Sequence, residues 1–395
     1  MLDWDQVRRA LKDERLPALV VDLGAFDRNV ERIAGAAMAA GKTIRVGSKS
    51  IRSVALVSRV LAHGPAFAGV LAFTYDEAAF LLEQLGPGSQ RGDVLVAYPS
   101  VQPALLKRFA VAARGARRAL AVIDALEHLE ALHEVASEVG PIAAVIDLDV
   151  SLRRAGLHLG VRRSPLRSGE DVARLLRESV RFPNLRIEGL LAYEAHIAGL
   201  PGAGVAQRAF RSMAIPDVRE LRAQAVAALR AAGVEQPLVN AGGTGSLHAS
   251  LADPSATEVT VGSGFLCSHL FDGASALGLE PAIFVALEVG RIPDAQHVTA
   301  NGGGYVASGE AGASRLPQPY LPEGMKLLSM EGAGEVQTPL SIGAAARAPR
   351  IGDPVLLRPA KAGEIAERFA EHLWLEGDRI THRTPTYRGQ GQTFL

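Results

Sequence analysis

Short apolar runs alternate with longer amphipathic stretches along most of the chain. From Gly41 onward the runs are "TIRVG" (43–47), "AGVLAF" (68–73), "DVLVAY" (93–98), "ALAVID" (119–124), "IAAVIDL" (142–148), "LRIEGLLAY" (185–193), "PLVNAGG" (237–243) and "TEVTVGS" (257–263). They are apolar throughout rather than alternately apolar and polar. Strands of a parallel sheet buried on both faces need that composition. Segments such as "DALEHLEALHEVASEVG" (124–140) and "DVRELRAQAVAALRAAG" (217–233) lie between them, with apolar residues at helical spacing. The second has an Asp start and a Gly stop, which predicts a helix over 217–233. Eight strand–helix units predict an α/β fold, a (β/α)8 TIM-type barrel. An open doubly wound sheet fits the same periodicity. Ahead of the first unit, "LPALVVDLGAFDRNVERIAGAAMAAG" supplies one more strand and a helix.

Near residue 280 the texture changes. "AIFVALEVGRI", "AQHVTANGGGYVASG", "GEVQTPLSI", "GDPVLLRP" and "HLWLEGDRITHR" read as short strands between Gly and Pro turns. The expected organisation is a barrel over 1–278 and a C-terminal β-rich domain over 279–395, with the N-terminal strand free to join the latter.

Composition narrows the function. The 395 residues carry 42 basic and 42 acidic side chains, a formal net charge of 0. Binding nucleic acid or an anionic membrane needs a basic excess, so neither is expected as a partner. Cys267 is the single cysteine, which leaves no disulfide framework and no multi-cysteine metal site. The N-terminus lacks an apolar signal segment, and no apolar run reaches membrane-spanning length. A cytoplasmic protein with a small-molecule substrate is the expectation.

In such a barrel, chemistry belongs at the C-terminal ends of the strands. Lys49 lies just past the end of the first. A lysine amine there can form a Schiff base with a carbonyl. Arg45, four residues earlier, would favour the neutral amine by like-charge repulsion. "NAGGTGS" (240–246) ends the seventh strand and "VGSGF" (261–265) the eighth. Consecutive N–H groups in Gly-rich turns form an anion nest, and barrels favour phosphate at these two loops. A lysine for an aldehyde and a nest for a phosphate together point to pyridoxal phosphate. Two other strand ends fit: "DLDVSLRRAG" offers Arg153 and Arg154, and "LAYEAHIAG" offers Tyr193 and His196. Arg154 can hydrogen-bond the cofactor ring or a substrate carboxylate. His196 can stack on the ring or relay protons.

These segments, taken in order, resemble fold-type III pyridoxal-phosphate enzymes, which pair an alanine-racemase-type barrel with a C-terminal β domain. The likeness is strongest to the D-threonine aldolase and D-serine dehydratase branch. "RVGSK" is similar to its cofactor-lysine motif. "DLDVSLRRAG" is similar to its Asp–x–Gly–x–x–Arg–x–Gly segment, with Ser151 for the glycine. "YEAHI" resembles Tyr–x–Gly–His, with Ala195 for the glycine, and "GGTGS" resembles its phosphate loop. The resemblance implies Lys49 as the Schiff-base lysine, with Arg45 packed beside the cofactor. It implies Gly243, Thr244, Gly245, Gly262 and Ser263 around the phosphate. It places Arg154 by the ring and Tyr193 and His196 beside it, and it implies a homodimer.

One stretch departs from the pattern. The branch ends in a Pro–x–His–x–Cys or Pro–x–His–x–Asp segment that binds a divalent metal. Here "RPAKAGEIAERF" (358–369) puts Lys361 and Gly363 at those two positions. A protonated lysine has no lone pair to give a metal, so no metal site is expected. Lys361 could instead supply a fixed cation at the substrate's β-oxygen or bind a carboxylate. Glu364, Glu367 and His372 are the other candidate ligands nearby. The resemblance implies a lyase acting on β-hydroxy-D-amino acids, as aldolase or dehydratase. A racemase using Lys49 and Tyr305, from "NGGGYVASGEAG" (301–312), is the alternative. A pyridoxal-phosphate homeostasis protein with little catalysis is a third reading, and such proteins generally lack a C-terminal β domain.

Overall fold

In a computed structural model, the eight predicted barrel strands pair in parallel and in chain order, and the ring closes. The structure describes residues 2–86, 92–154, 156–199, 204–273, 276–343 and 347–395. The barrel strands are Thr43–Gly47, Phe67–Ala72, Asp93–Val96, Arg118–Ile123, Ile142–Asp147, Leu185–Ala192, Leu238–Ala241 and Glu258–Val261, referred to below as the first to the eighth. The eighth pairs back on the first, with Glu258 opposite Thr43 and Val261 opposite Val46. Closure excludes the open doubly wound sheet. It also explains the apolar strands, because Val46, Val70, Val94, Leu120, Val145 and Val259 are all fully buried or nearly so.

The β-rich C-terminal region is a nine-stranded sheet among the described residues. The N-terminal strand Ala18–Asp22 belongs to it. That strand pairs antiparallel with Ile283–Asp294 and parallel with Glu371–Glu376. Its alternate faces enter different cores, as the two-residue period of a strand requires. Leu19 and Val21 join the barrel-side core. Ala18 and Val20 pack with Trp4, Val7, Phe284 and Leu356 under the first helix, Trp4–Ala10.

Several elements differ from the sequence expectation. The helix predicted over 217–233 runs from Val205 to Ala231, with Pro216 inside it. Proline removes one intrahelical hydrogen bond, and the rest of this helix carries it through. Gly233, at φ +92°, follows its end as expected. Within "AQHVTANGGGYVASG" only His297–Asn301 is strand. Gly302 and Gly303, at φ +88° and +122°, turn the chain out of the sheet. A small hairpin, Leu152–Arg154 with Leu157–Leu159, follows the fifth barrel strand and was not anticipated. "RPAKAGEIAERF" contains a short helix, Ala362–Ala366.

Arg45 stands inside the barrel rather than at its mouth. Its guanidinium is fully buried. It donates to both oxygens of Glu258 at 2.6 and 2.9 Å, to Asp93 at 2.8 Å and to the Val70 carbonyl at 3.2 Å. Glu258 and Asp93 each open their strand, so the cluster lies toward the N-terminal end of the barrel. Burial alone would favour the neutral form, but the two carboxylates hold Arg45 charged above its ordinary pKa. It does not line the cavity that contains Lys49. Its charge is matched by two carboxylates, so the structure gives it a core-organising place. Glu258 also accepts from Asn240 (2.7 Å), which accepts from Thr260 (3.0 Å), and both of these residues form the cavity floor.

Removing one member of a buried ion cluster leaves uncompensated charge, which costs roughly 3–5 kcal/mol. Arg45→Ala should lower the unfolding free energy by about that amount in urea titrations. A loss no larger than that of the exposed Arg379→Ala would contradict this place for Arg45.

Candidate functional site

Past the first strand, Ser48–Ser50 forms a 3₁₀ turn that presents Lys49. The turn is held from several sides. Ser48 Oγ donates to the Leu71 carbonyl at 2.9 Å. Arg52 Nε donates to the Lys49 carbonyl at 3.2 Å. Arg52 itself adopts φ +49°, a left-handed conformation that costs a non-glycine residue about 1–2 kcal/mol. Its guanidinium pairs with Glu367 and lies 5.2 Å from the Phe73 ring centroid. Its carbonyl accepts from Tyr387 N at 2.9 Å. The Tyr387 hydroxyl donates to buried Glu77 at 2.9 Å, and Glu77 also accepts from Phe73 N. Burial pushes Glu77 up to about 7. A Cβ on Gly363 would stand 1.8 Å from the Lys49 carbonyl oxygen. The C-terminal region therefore packs directly on the backbone that carries Lys49.

Lys49 opens into a cavity of about 370 Å³ at the C-terminal mouth of the barrel. Gly243, Thr244, Gly262 and Ser263 line the same cavity. Gly242, at φ +81°, turns the chain from the seventh strand into the nest. Gly243 N donates to Ser246 Oγ at 3.1 Å, and Gly264 N to Thr244 Oγ1 at 2.9 Å. Ser263 Oγ lies 3.1 Å from Ser50 Oγ, tying the eighth-strand loop to the lysine turn. A Cβ on Gly243 would press on the Tyr193 ring at 3.0 Å. Gly245 is buried and does not line the cavity. A Cβ there would meet the Ala198 carbonyl oxygen at 2.1 Å, so close packing demands the glycine.

Beneath the nest lies a second buried ion cluster. Arg222, from the long helix, pairs with Glu194 and with Asp253 at 2.8 Å. Glu194 accepts from Gly242 N at 3.2 Å and from the Ser250 hydroxyl. Burial alone would raise the Glu194 pKa, but Arg222 and the neighbouring hydroxyls hold it below the usual carboxylate range. Glu194 thus fixes the turn that begins the nest.

The other sequence candidates separate. Tyr193 lines the cavity, and burial together with Glu194 pushes its hydroxyl up to about 12. His196 is half-buried on the turn Ala195–Ala198, whose Ala195 faces the cavity. His196 does not itself line the cavity; its ring nitrogens have no hydrogen-bond partner among the described residues, its edge meets Phe210 at 6.2 Å, and burial lowers its pKa. The side chain of Arg154 lies outside the described residues. Tyr305 and Lys361 line a different, smaller cavity of about 140 Å³ in the β-rich region. Tyr305 packs on Phe369 at 5.5 Å. Lys361 donates to Glu364 at 2.9 Å and to Ser308 at 2.8 Å. Within one chain, neither reaches the cavity of Lys49.

Asp147, Arg163 and Tyr98 are among the lining residues missed from sequence. Asp147 ends the fifth strand and faces the cavity. Arg163 lies over the ring of Tyr98, 5.3 Å from its centroid, and both line the cavity. Asp147 was legible as an acidic residue at a strand end, in the segment that offered Arg154. Arg163 follows the unanticipated hairpin and carried no signal.

Residues 21–268 match the family model described as alanine racemase, N-terminal domain. A curated relative, 3-hydroxy-D-aspartate aldolase of Paracoccus denitrificans (strain Pd 1222), is 26% identical over 233 residues. The match covers 59% of this chain and 55% of that protein, so the chain spans just over half the length of this relative. Among solved structures, D-threonine aldolase from Filomicrobium marinum superposes with a TM-score of 0.81 at 22% identity, covering 96% of each chain. D-threo-3-hydroxyaspartate dehydratase from Delftia sp. HT23 superposes with a TM-score of 0.76 at 21% identity, covering 95% of this chain and 98% of that one. At these identities the likeness is one of fold. The family match covers most of the barrel and both loops that face Lys49, and the chain belongs to the alanine racemase N-terminal domain family.

Proposed function

We propose that this protein is a pyridoxal-phosphate-dependent lyase acting on β-hydroxy-D-amino acids, as aldolase or dehydratase. One observation carries the reading: a strand-end lysine and a glycine-built nest face a single cavity. The residues fit the cofactor. Lys49 would hold the aldehyde carbon. The N–H groups around Gly243, Thr244 and Ser263 would hold the phosphate; a Cβ on Gly243 would press on the Tyr193 ring and one on Gly262 on the Gly47 carbonyl oxygen, so both loops need glycine to pack this closely. When bound, the cofactor supplies an electron sink for bonds at a substrate α-carbon.

The chain's own residues divide the remaining work. Tyr193 keeps its proton at neutral pH and can donate a hydrogen bond into the cavity. His196 is our candidate, from the resemblance, for the acid/base at the β-hydroxyl; it stands on the turn whose Ala195 lines the cavity, but is not itself a lining residue. The curated relative is named for a 3-hydroxy-D-amino acid, which supports the substrate class. Racemisation by Lys49 and Tyr305 would need Tyr305 to come from a second chain, because the two line different cavities in one. A homodimer with each β-rich region facing the other barrel is part of this proposal. So is a cytoplasmic location; no helix among the described residues is long and apolar enough to cross a membrane.

Incubating the cofactor-loaded protein with D-threonine, D-serine, 3-hydroxy-D-aspartate and both alanine enantiomers separates the readings. The proposal expects glycine plus an aldehyde, or a keto acid plus ammonia, from a β-hydroxy-D-amino acid. Inversion of alanine would favour the racemase, and silence the homeostasis protein.

We further propose that turnover needs no divalent metal. The chemistry of 358–369 supports this. Lys361 offers no lone pair, and Gly363 is pressed on Lys49. Glu364 is engaged by Ser308 and Lys361, Glu367 pairs with Arg52, and His372 is buried in the sheet. Activity should survive exhaustive chelation. Loss that zinc or manganese restores would contradict the proposal.

A further inference from the structure

We propose that Glu77 and Tyr387 are positioning residues for Lys49, and that their buried hydrogen bond locks the turn that aims the lysine into the cavity. The assignment rests on reading that cavity as the cofactor site.

Glu77 is fixed first from its own helix. Thr74 caps Tyr75–Leu85, and its hydroxyl accepts from Glu77 N at 3.1 Å. The Glu77 side chain is fully buried and meets two donors. Phe73 N–H donates to one carboxylate oxygen at 2.6 Å, and the Tyr387 hydroxyl donates to the other at 2.9 Å. Two converging donors need two acceptors. A carboxylate offers both, whereas an amide would turn its NH2 group toward one of the donors. Burial works against the charge; the Ser48 hydroxyl, Phe73 N–H, the Tyr387 hydroxyl and the Arg52 guanidinium all favour it. Burial and the Glu77 charge raise the Tyr387 pKa well above its ordinary value, so the phenol keeps its proton and donates. Phe80 and Phe394 pack edge-on to the Tyr387 ring at 5.6 and 5.4 Å, which fixes the direction of its hydroxyl.

Both ends of this bond reach the cavity. Phe73 lines it. Ser48, next to Lys49 in sequence, faces both the carboxylate and the phenol. Tyr387 N donates to the Arg52 carbonyl at 2.9 Å, and Arg52 Nε donates to the Lys49 carbonyl at 3.2 Å. Arg52 adopts a left-handed conformation, φ +49°, that persists only while its surroundings hold it. A carboxylate this deep is costly to bury. It stands where the lysine turn, the cavity wall and the C-terminal segment meet, and there it ties all three together.

The test compares two ligands for the full chain freed of cofactor: pyridoxal phosphate and pyridoxine phosphate, which carries CH2OH in place of the aldehyde. Binding is read by absorbance and fluorescence titration, without turnover. Wild type should prefer pyridoxal phosphate, because only its aldehyde condenses with the Lys49 amine, releasing water. Lys49→Ala should bind both alike. In Tyr387→Phe and in Glu77→Gln, pyridoxine phosphate should bind as in wild type, which also shows that each variant is folded. The preference for pyridoxal phosphate should fall roughly threefold to tenfold, the scale of one net hydrogen bond. The double variant should lose no more than the larger single loss, since both changes remove the same bond. Undiminished preference in either single variant, equal weakening of both ligands, or losses that add in the double variant would overturn the assignment. If wild type bound neither ligand, or if Lys49→Ala kept the preference, the reading of the cavity itself would fall, and this assignment with it.

Discussion

The pairing of the eighth barrel strand with the first is the constraint on which the site depends. It places Val261 beside Val46. Beyond those residues, Gly262 comes so close to Gly47 that a Cβ would lie 2.7 Å from its carbonyl oxygen. Ser263 then meets Ser50 across the seam. Residues more than two hundred positions apart in sequence thereby share one wall, lysine on one side and nest on the other. An open sheet would leave these two loops on opposite edges. The Arg45 cluster guards the same seam from inside, since Glu258 opens the eighth strand and Arg45 sits on the first.

The second constraint comes from behind. Gly363 rests on the Lys49 carbonyl, Arg52 bridges that carbonyl to Glu367, and Tyr387 links Arg52 to Glu77. The C-terminal region thus fixes the lysine turn without entering the cavity. This gives "RPAKAGE" a role independent of metal binding. Gly363 is required by close approach, and Lys361 is anchored to its own helix through Glu364. Catalytic groups held on a rigid turn keep their geometry better than groups on a free loop.

Much of the frame was legible because the signals were local. Eight apolar runs fell on the eight barrel strands, since burial on both faces leaves its mark on every residue of a strand. Lys49 and the glycines at 243 and 262 were legible as strand-end residues for the same reason. Tertiary placement was not. Arg45 looked like a neighbour of Lys49 at four residues' distance, yet strand pleating turns it into the core. Gly245 belongs to the same turn as Gly243, but the Ala198 carbonyl, from the turn after the sixth barrel strand, decides its identity. Tyr305 carried a family-like pattern and Lys361 a departure from one, and both line another cavity. Asp147 was legible as a strand-end acid and was passed over, whereas Arg163 became visible only once the hairpin was in place.

The central claim is that the cavity holds pyridoxal phosphate on Lys49. Borohydride reduction of the cofactor-loaded protein, followed by proteolysis and mass spectrometry, tests it most directly. The account predicts a single pyridoxyl modification, on the peptide containing Lys49, and its disappearance in Lys49→Arg. A modification on Lys42, Lys107 or Lys361 instead, or no covalent adduct after reduction, would contradict it.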